Sequence, residues 1–489
     1  MSLEILISCS AGETRAAIVA NGFLEELHIE RPGHRGHVGN VYKGRVTRVL
    51  PGMQAAFVDI GLARTAFLHA SDIGPRTAVA KEDGHAPAPD IRRLLADGAE
   101  LLVQVVKDPL GSKGARLTAA ISLPSRLLVF MPSAHGIGVS TRICEDAERD
   151  RLKGELGNLL GETASGGYIL RTAAEGVSDT ALAAEIAMLQ RSWQRISERY
   201  KASQAPALLH GELALPKRVV RDECSRGISR IRVDDPATQS DLIDFMAQLM
   251  PQAQVSVELH AGGQTLFDEH GIEAQIAAAM QRRIELPSGG HAIIDQTEAM
   301  TTVDVNTGAY VGRSALEETI FRTNLEAATS IARQLRLRNI GGIIVIDFID
   351  MSDEAHRDAV LEALRGELAN DRAQCFVTGF SVLGLVEMTR KRTRESLEQI
   401  LCESCPSCQG RGFVRSVESV CHEVFREIVR QARHSASRQL VILAAGPVVD
   451  GLEGAFSGNL AALTAATGCA VRVQTGSGFG PEQFEIVSP

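Results

Sequence analysis

Thr301-Thr302-Val303-Asp304-Val305-Asn306-Thr307-Gly308 and, further on, Gly341-Gly342-Ile343-Ile344-Val345-Ile346-Asp347-Phe348-Ile349-Asp350-Met351 are apolar runs that each end in carboxylates. Between them Ser314-Ala315-Leu316-Glu317 reads as a capping box, and Ile320, Leu325, Ala328, Ile331, Ala332 and Leu335 recur at helical spacing before the Gly341-Gly342 stop. The pattern is strand, helix, strand. Such a crossover makes the strands parallel neighbours, and open parallel sheets place their sites beyond the carboxyl ends of the strands. Asp304 and Asp347 fall near those ends. A buried charge is tolerated only when paired, hydrogen-bonded or bound to metal, and two carboxylates at one edge repel. A divalent cation removes that repulsion, and oxygen-only ligands favour Mg²⁺ or Mn²⁺ over zinc. Asn306 shares the Asp304 side of an extended chain and can supply an amide oxygen or orient a phosphate. Turn or helix-capping aspartates would leave the same letters.

Outward from these strands, composition sets the bounds. A chain of 489 residues, 44% hydrophobic and 23% charged, has the make-up of a multidomain globular protein. There is no apolar stretch of the length that spans a bilayer, and Met1-Ser2-Leu3-Glu4 lacks the basic start and apolar run of a signal peptide, so no membrane insertion and a cytoplasmic location are expected. Nine cysteines, mostly scattered, fit a reducing compartment better than a disulfide framework. The net charge of -9 argues against a protein whose whole surface binds polyanions. Local basic grooves would be needed, and Lys43-Gly44-Arg45, Lys113 to Arg116 and Arg390-Lys391-Arg392-Thr393-Arg394 offer them.

Towards the amino terminus, residues 3 to 30 alternate as strands around an Asn21-Gly22 hairpin turn. Val38 to Val49, Ala55 to Asp59, Thr65 to His69 and Leu101 to Val106 are short strands broken by Pro51-Gly52, Gly61 and a Gly/Pro-rich loop at 84 to 89. That density predicts a small barrel, and a five-stranded OB-fold fits. Phe57 and Phe67 then matter, because aromatic residues are scarce, 4% of the chain, and OB barrels bind single strands by stacking bases on surface aromatics beside basic groups. Tyr42, Lys43 and Lys113 can complete such a surface; both Phe residues as barrel core is the alternative. Glu145 to Leu160 and Asp179 to Arg199 read as amphipathic helices. Between them Tyr168 to Ala174 reads as a strand ending in Arg171-Thr172, a guanidinium and a hydroxyl suited to a phosphate. Val255 to Leu259 and a helix from Glu273 close a segment 215 to 278 that can pair with the first hairpin.

Towards the carboxyl terminus, Cys405-Pro406-Ser407-Cys408-Gln409-Gly410-Arg411-Gly412 is a knuckle whose spacing suits a tetrahedral thiolate zinc site. A closed site needs four ligands: Cys402, Cys421 or His422 can complete it, or a second subunit can donate its own pair. The trailing Gly-Arg-Gly and the lack of a thioredoxin-like context favour metal over a redox pair. Beyond it, Glu418 to Gln431 reads as a helix, and Leu440 to Ala444 and Ala470 to Gln474 as strands.

The blocks Val38 to Val46, Ile294 to Asp304 with Asp304-Val305-Asn306-Thr307-Gly308, Gly341 to Met351, Phe380 to Arg390 and Cys405 to Gly412 resemble the ribonuclease E/G family of bacterial endoribonucleases, and the finish soon after a small last domain resembles its G branch. The resemblance implies an α/β and α+β multidomain chain. Its parts would be a ribonuclease-H-like domain (1–37 with 215–278), an OB-fold RNA-binding barrel inserted in it (38–118), a 5′-end sensor (119–214), a deoxyribonuclease-I-like catalytic subdomain (279–400), a zinc link (401–415) and a small C-terminal domain (416–489). It implies catalytic Mg²⁺ on Asp304 and Asp347 with Asn306 in support, and RNA contacts at Phe57, Phe67 and Lys113. A 5′-monophosphate pocket is implied at Arg171 and Thr172, and Zn²⁺ shared through Cys405 and Cys408 of two protomers in a homodimer. Thr141-Arg142 stands where the E branch carries two arginines, and Cys402 is an extra thiol.

These features predict metal-assisted hydrolysis of single-stranded RNA to 5′-phosphate and 3′-hydroxyl ends, and the resemblance implies precursor ribosomal and messenger RNA among the substrates. A metal-free route with His270 or His291 as base would leave cyclic phosphates. A non-catalytic RNA-binding or ribosome-assembly protein would use the same barrel without the carboxylates.

Overall fold

The computed structural model describes residues 3–32, 36–74, 90–109, 113–161, 165–223, 227–249, 255–308, 316–392, 394–434 and 439–488. The loop expected at 84–89 and the first half of the capping box, Ser314-Ala315, lie outside them. The chain divides into two compact units, residues 1–400 and 401–489.

In the first unit, Leu3–Ser10, Glu13–Ala20 and Phe23–Glu30 form an antiparallel meander. Asn21 and Gly22 both take positive φ, 51° and 84°, the two-residue turn whose twist matches a hairpin. Ile228–Val233 pairs parallel with Leu3–Ser10, and Ser256–Leu259 with Ile228–Val233, completing a five-stranded sheet. Ile5, Ile7, Ile231 and Val233 share one core with Val219, Val220 and Leu242.

Val41–Leu50, Ala55–Asp59, Ala66–His69, Arg116–Thr118 and Glu100–Lys107 pair in that order, and the last returns to Val41–Leu50. The result is a closed five-stranded barrel. Val46, Ala56, Val58, Ala66 and Leu68 fill it. Gly44 is needed there, since a Cβ would stand 2.6 Å from Val58 Cγ1. Next to the barrel, Gly136–Val139, Gly167–Leu170, Leu128–Met131 and Leu123–Pro124 make a four-stranded sheet, and its core takes Leu152 and Leu156 from the helix Asp146–Leu160 and Leu182 and Leu189 from the helix Asp179–Ala202.

The sheet that holds the carboxylates runs Arg283–Glu285, His291–Gln296, Met300–Asn306, Gly342–Asp347, Leu385–Arg390, Cys375–Phe380. Met300–Asn306 and Gly342–Asp347 are parallel and adjacent, joined through the helix Leu316–Leu337 as the sequence pattern requires. Ala328, Ile331, Ala332 and Leu335 of that helix are fully buried and share a core with Val303, Val305, Ile344 and Ile346 and with Val360 and Leu364 of the helix Glu354–Leu368. Both helices thus serve one face. The alternate residues, Thr302, Asp304, Asp347, Glu387 and Thr389 among them, are exposed on the other.

In the second unit the helix Val417–His434 packs Val420, Cys421, Val424 and Ile428 against Leu440 and Ile442 of a three-stranded sheet, Ala470–Thr475, Gln439–Ala444, Phe484–Val487. Among the described residues no helix is long and apolar enough to cross a membrane.

Candidate active site

Asp304 and Asp347 are Cα partners across the parallel strand pair and both stand on the open face. Neighbouring strands lie about 4.8 Å apart, so the two carboxylates share one site. Partial burial and the negative charges of Asp304 and Asp350 push the Asp347 carboxyl above its ordinary range. Among the described residues no lysine or arginine pairs with any of the three. Asn306 donates Nδ2 to Asp304 Oδ2 at 2.8 Å, which orients that carboxylate and leaves its other oxygen available. Two adjacent exposed carboxylates suit a hard divalent ion, which takes one or two carboxylates and keeps several waters.

Two residues that the sequence reading did not assign complete this edge. Asp350 lies just past the strand end and adds the third negative charge. Asn324 is fully buried on the helix Leu316–Leu337, where it donates Nδ2 to Ile349 O at 2.8 Å and accepts from Ile349 N at 3.1 Å. It anchors the segment that carries Asp350. A polar residue on an apolar helical stripe was its only trace in the sequence.

The histidine alternative narrows. His270 is held through Nδ1 by Leu266 O at 2.9 Å and through Nε2 by Arg232 Nη1 at 3.0 Å, so the ring donates one nitrogen, accepts on the other and offers no free base. His291 is the register partner of Asn306.

On the barrel, Phe57 and Phe67 are cross-strand partners on the outward face, their rings edge to face with centroids 6.3 Å apart. They lie outside the barrel core, and Lys113 is exposed. Tyr42 and Lys43 do not join them. Both are buried; Lys43 donates to Tyr200 O and Ser203 O at the carboxyl end of the helix Asp179–Ala202 and pairs with Glu100 at 3.0 Å, where Arg45 also pairs. Glu100 thus offsets one of the two cations of the Lys43-Gly44-Arg45 run, and Lys43 is withdrawn from the surface while Arg45 stays half exposed. The run at 390–394 divides likewise. Arg390 is 5% exposed and gripped bidentately by Asp371 at 2.7 and 3.1 Å, and Arg394 turns inward to His28. Lys391 and Arg392 alone among its described basic residues face solvent; Thr393 lies outside the described residues.

Arg171 and Thr172 follow the strand Gly167–Leu170 rather than ending it. Arg171 Nη1 donates to Ser125 O at 2.6 Å and to Asp222 Oδ1 at 3.0 Å, and the Thr172 hydroxyl lies 3.3 Å from that of Ser140. Thr141 is exposed, and Arg142 Nη2 donates to the carbonyls of Asp371 and Arg372.

Glu26, His28 and Glu223 gather ligand atoms within metal-sized distance, but Glu223 pairs with Arg372 at 2.7 Å and Arg394 touches His28. Burial, with the Arg394 cation, pushes His28 down to about 4. Cations of the chain already balance this cluster, so it reads as an ion-pair seam between the strand Phe23–Glu30 and residues 372–394.

In the second unit Cys405 and Cys408 lie in an exposed turn where Gln409 N donates to Cys405 O and Arg411 N to Cys408 O. The backbone N–H groups of Cys408 and Ser407 pull the Cys405 thiol down from its ordinary range, favouring the thiolate a metal needs. Among the described residues no third His, Cys, Asp or Glu completes a cluster with the pair. Cys421, one expected candidate, is fully buried in the core with Sγ towards Val448 O. Cys402 is exposed.

Comparison with known proteins agrees on one family. Residues 122–393 match the model described as Ribonuclease E/G family, and residues 404–488 that described as RNase E/G, Thioredoxin-like domain. The second match corrects the sequence reading, which saw no thioredoxin-like context around the knuckle. The chain is similar to Ribonuclease G of Escherichia coli (strain K12), 52% identical with all of both chains covered, and to Ribonuclease G of Haemophilus influenzae, 48% identical over 99% of each. Ribonuclease E of Escherichia coli is 39% identical over 89% of this chain and 41% of its own length.

Proposed function

The chain belongs to the ribonuclease E/G family and is an endoribonuclease, and from that premise we propose that it hydrolyses single-stranded RNA at Asp304 and Asp347 with Mg²⁺, leaving 5′-phosphate and 3′-hydroxyl ends. The observation that carries this is the register pair itself, two carboxylates side by side with no lysine or arginine partner among the described residues. Mg²⁺ bound there supplies Lewis acidity and a water of lowered pKa.

The side chains supply the rest. Asp304 and Asp347 hold the cation, and Asn306 keeps Asp304 in the rotamer that faces it. Asp350 adds negative charge that attracts the cation, and the same charge helps to raise the Asp347 pKa. The barrel is read as an OB-fold whose outward Phe57 and Phe67 stack bases, with Lys113 on the backbone. Residues 119–214 are read as the 5′-end sensor, in which a terminal monophosphate bonds Arg171 and Thr172 and stimulates cleavage. A phosphate arriving there competes with the Asp222 carboxylate. The first hairpin with 215–278 is read as the ribonuclease-H-like domain, 279–400 as the deoxyribonuclease-I-like subdomain, and 401–415 as the zinc link ahead of the small domain. Two thiols per chain, with no third ligand clustered with them among the described residues, support a Zn²⁺ shared between Cys405 and Cys408 of two protomers in a homodimer. Precursor ribosomal RNA and messenger RNA in the cytoplasm are the proposed substrates.

The test is digestion of a single-stranded RNA with and without EDTA, with the product ends resolved. EDTA-sensitive cleavage to 5′-phosphate ends supports the assignment; cyclic phosphates or indifference to EDTA overturn it.

A further inference from the structure

The open face of the catalytic sheet carries a second feature, four residues back along the strands from the carboxylates. Ile343, Val345 and Asp347 alternate onto that face. Met300, Ile343 and Thr389 are Cα partners across three adjacent strands, and Phe376 is the partner of Thr389 on the fourth. The four side chains therefore form one row across the sheet. Met300, Ile343 and Phe376 are 38%, 50% and 67% exposed, although nothing in the sequence makes an apolar row necessary on a solvated face. At about 3.3 Å per residue the row lies roughly 13 Å from the Asp304 and Asp347 row.

Two cations stand beside it. A groove of about 490 Å³ is lined by Ile343, Phe376, Thr389, Lys391 and Arg392, with Gly342 at its edge. Arg392 lies flat along the start of the strand: Nε donates to Gly341 O at 2.9 Å, and a Cβ on Gly341 would stand 2.7 Å from Arg392 Cγ. The glycine pair that ends the crossover also makes room for this guanidinium. Among the described residues neither Lys391 nor Arg392 has a carboxylate partner.

An exposed aromatic on the open face, in one row with Thr389, Ile343 and Met300 and beside two cations that have no carboxylate partner among the described residues, has the make-up of a single-strand site: a base stacks on the ring and phosphates take the cations. The row is also continuous with the face that carries the carboxylates, so an RNA strand held at Asp304 and Asp347 can run onto it. We infer that the Met300, Ile343, Thr389 and Phe376 row is a base-stacking platform for single-stranded RNA, with Lys391 and Arg392 taking the adjoining phosphates. This deepens the reading of Asp304 and Asp347 as the cutting site and rests on it.

The platform is tested with single-stranded RNA oligomers that carry one 2-aminopurine at successive positions, mixed with the full chain without divalent metal. Fluorescence quenching at a defined position is expected, lost in Phe376→Ser and kept in Phe376→Tyr. The KM for the same RNA rises about tenfold in Phe376→Ser with kcat nearly unchanged, as loss of one stacked base predicts. Ile343→Ser is a second variant that gives a smaller rise, and Lys391→Ala with Arg392→Ala flattens the salt dependence of binding. Quenching and KM indifferent to both Phe376→Ser and Ile343→Ser overturn the platform. So does an oligomer that dissociates in Phe376→Ser while KM stays fixed, which makes the face a contact between copies. Cleavage retained by Asp347→Asn would sink the catalytic reading and leave the quenching result standing, so the two failures are distinguishable.

Discussion

Asn324 and Ile349 are joined by both arms of one buried amide, which takes the Ile349 N–H and gives to its carbonyl. The bond pair ties the crossover helix to the turn that presents Asp350. Asn324→Leu leaves two backbone groups without partners, at about 1–3 kcal/mol each. We expect a lower melting temperature and a fall in kcat larger than any change in KM. Equal kcat would show that the turn holds its shape without the amide.

The raised pKa of Asp347 fixes the sign of a pH effect. A carboxyl pushed up loses its charge at a higher pH than an ordinary aspartate, so cation binding fails earlier on acidification. At subsaturating Mg²⁺ the acid limb of kcat/KM should move to lower pH in Asp350→Asn, because one repelling charge is gone. It should move the same way as Mg²⁺ is raised, since cation and proton compete. An acid limb fixed in both experiments would remove Asp350 from the account.

End sensing has a mild probe in Arg171→Ala. Asp222 remains paired with Arg221 at 2.9 Å, so the loss of stability should stay at about 1 kcal/mol. The preference for 5′-monophosphate over 5′-hydroxyl RNA should drop about tenfold, the scale of one charge-assisted hydrogen bond. Unchanged preference would place the phosphate elsewhere.

Arg390 and Asp371 are 5% and 3% exposed at the side chain, and the guanidinium also serves Asn339 Oδ1 and Ile340 O. Arg390→Met strands the buried Asp371 carboxylate and should cost about 3–5 kcal/mol in denaturant unfolding. Arg390→Met with Asp371→Leu should recover part of it. No recovery would mean that the carbonyl contacts dominate.

Cys405→Ser with Cys408→Ser should halve the mass seen by light scattering and release zinc, while unit 401–489 keeps its core because neither thiol is in it. A dimer that survives without zinc would refute the shared knuckle.

The strand, helix, strand unit was legible because apolar period and glycine stops agree with the packed result: Ala328, Ile331 and Leu335 are buried as their spacing requires. The outward pose of Phe57 and Phe67 follows from alternation on barrel strands. What the letters hid was the destination of charges. Arg390, Arg394 and Lys43 read as solvated cations, yet each is turned towards a carboxylate, an imidazole or a helix carbonyl from distant sequence. Only tertiary packing brings Asp371, His28 and Ser203 to them. Asp350 and Asn324 were hidden for the same reason: an aspartate after a strand and an asparagine on a helix acquire roles only when a turn folds over them.

The parallel pairing of Leu3–Ser10 with Ile228–Val233 has a bearing on how the protein is made. At ribosomal rates of about 5–20 residues per second, the first hairpin emerges and then waits roughly 10–40 s for its partner strand. During that interval one of its edges has unsatisfied backbone groups and its apolar face has no core. The barrel, whose five strands all lie between Val41 and Thr118, can close meanwhile. The nascent chain thus passes through a stage with a folded middle and an unfinished beginning, in which ribosome-associated chaperones have an extended apolar strand to hold.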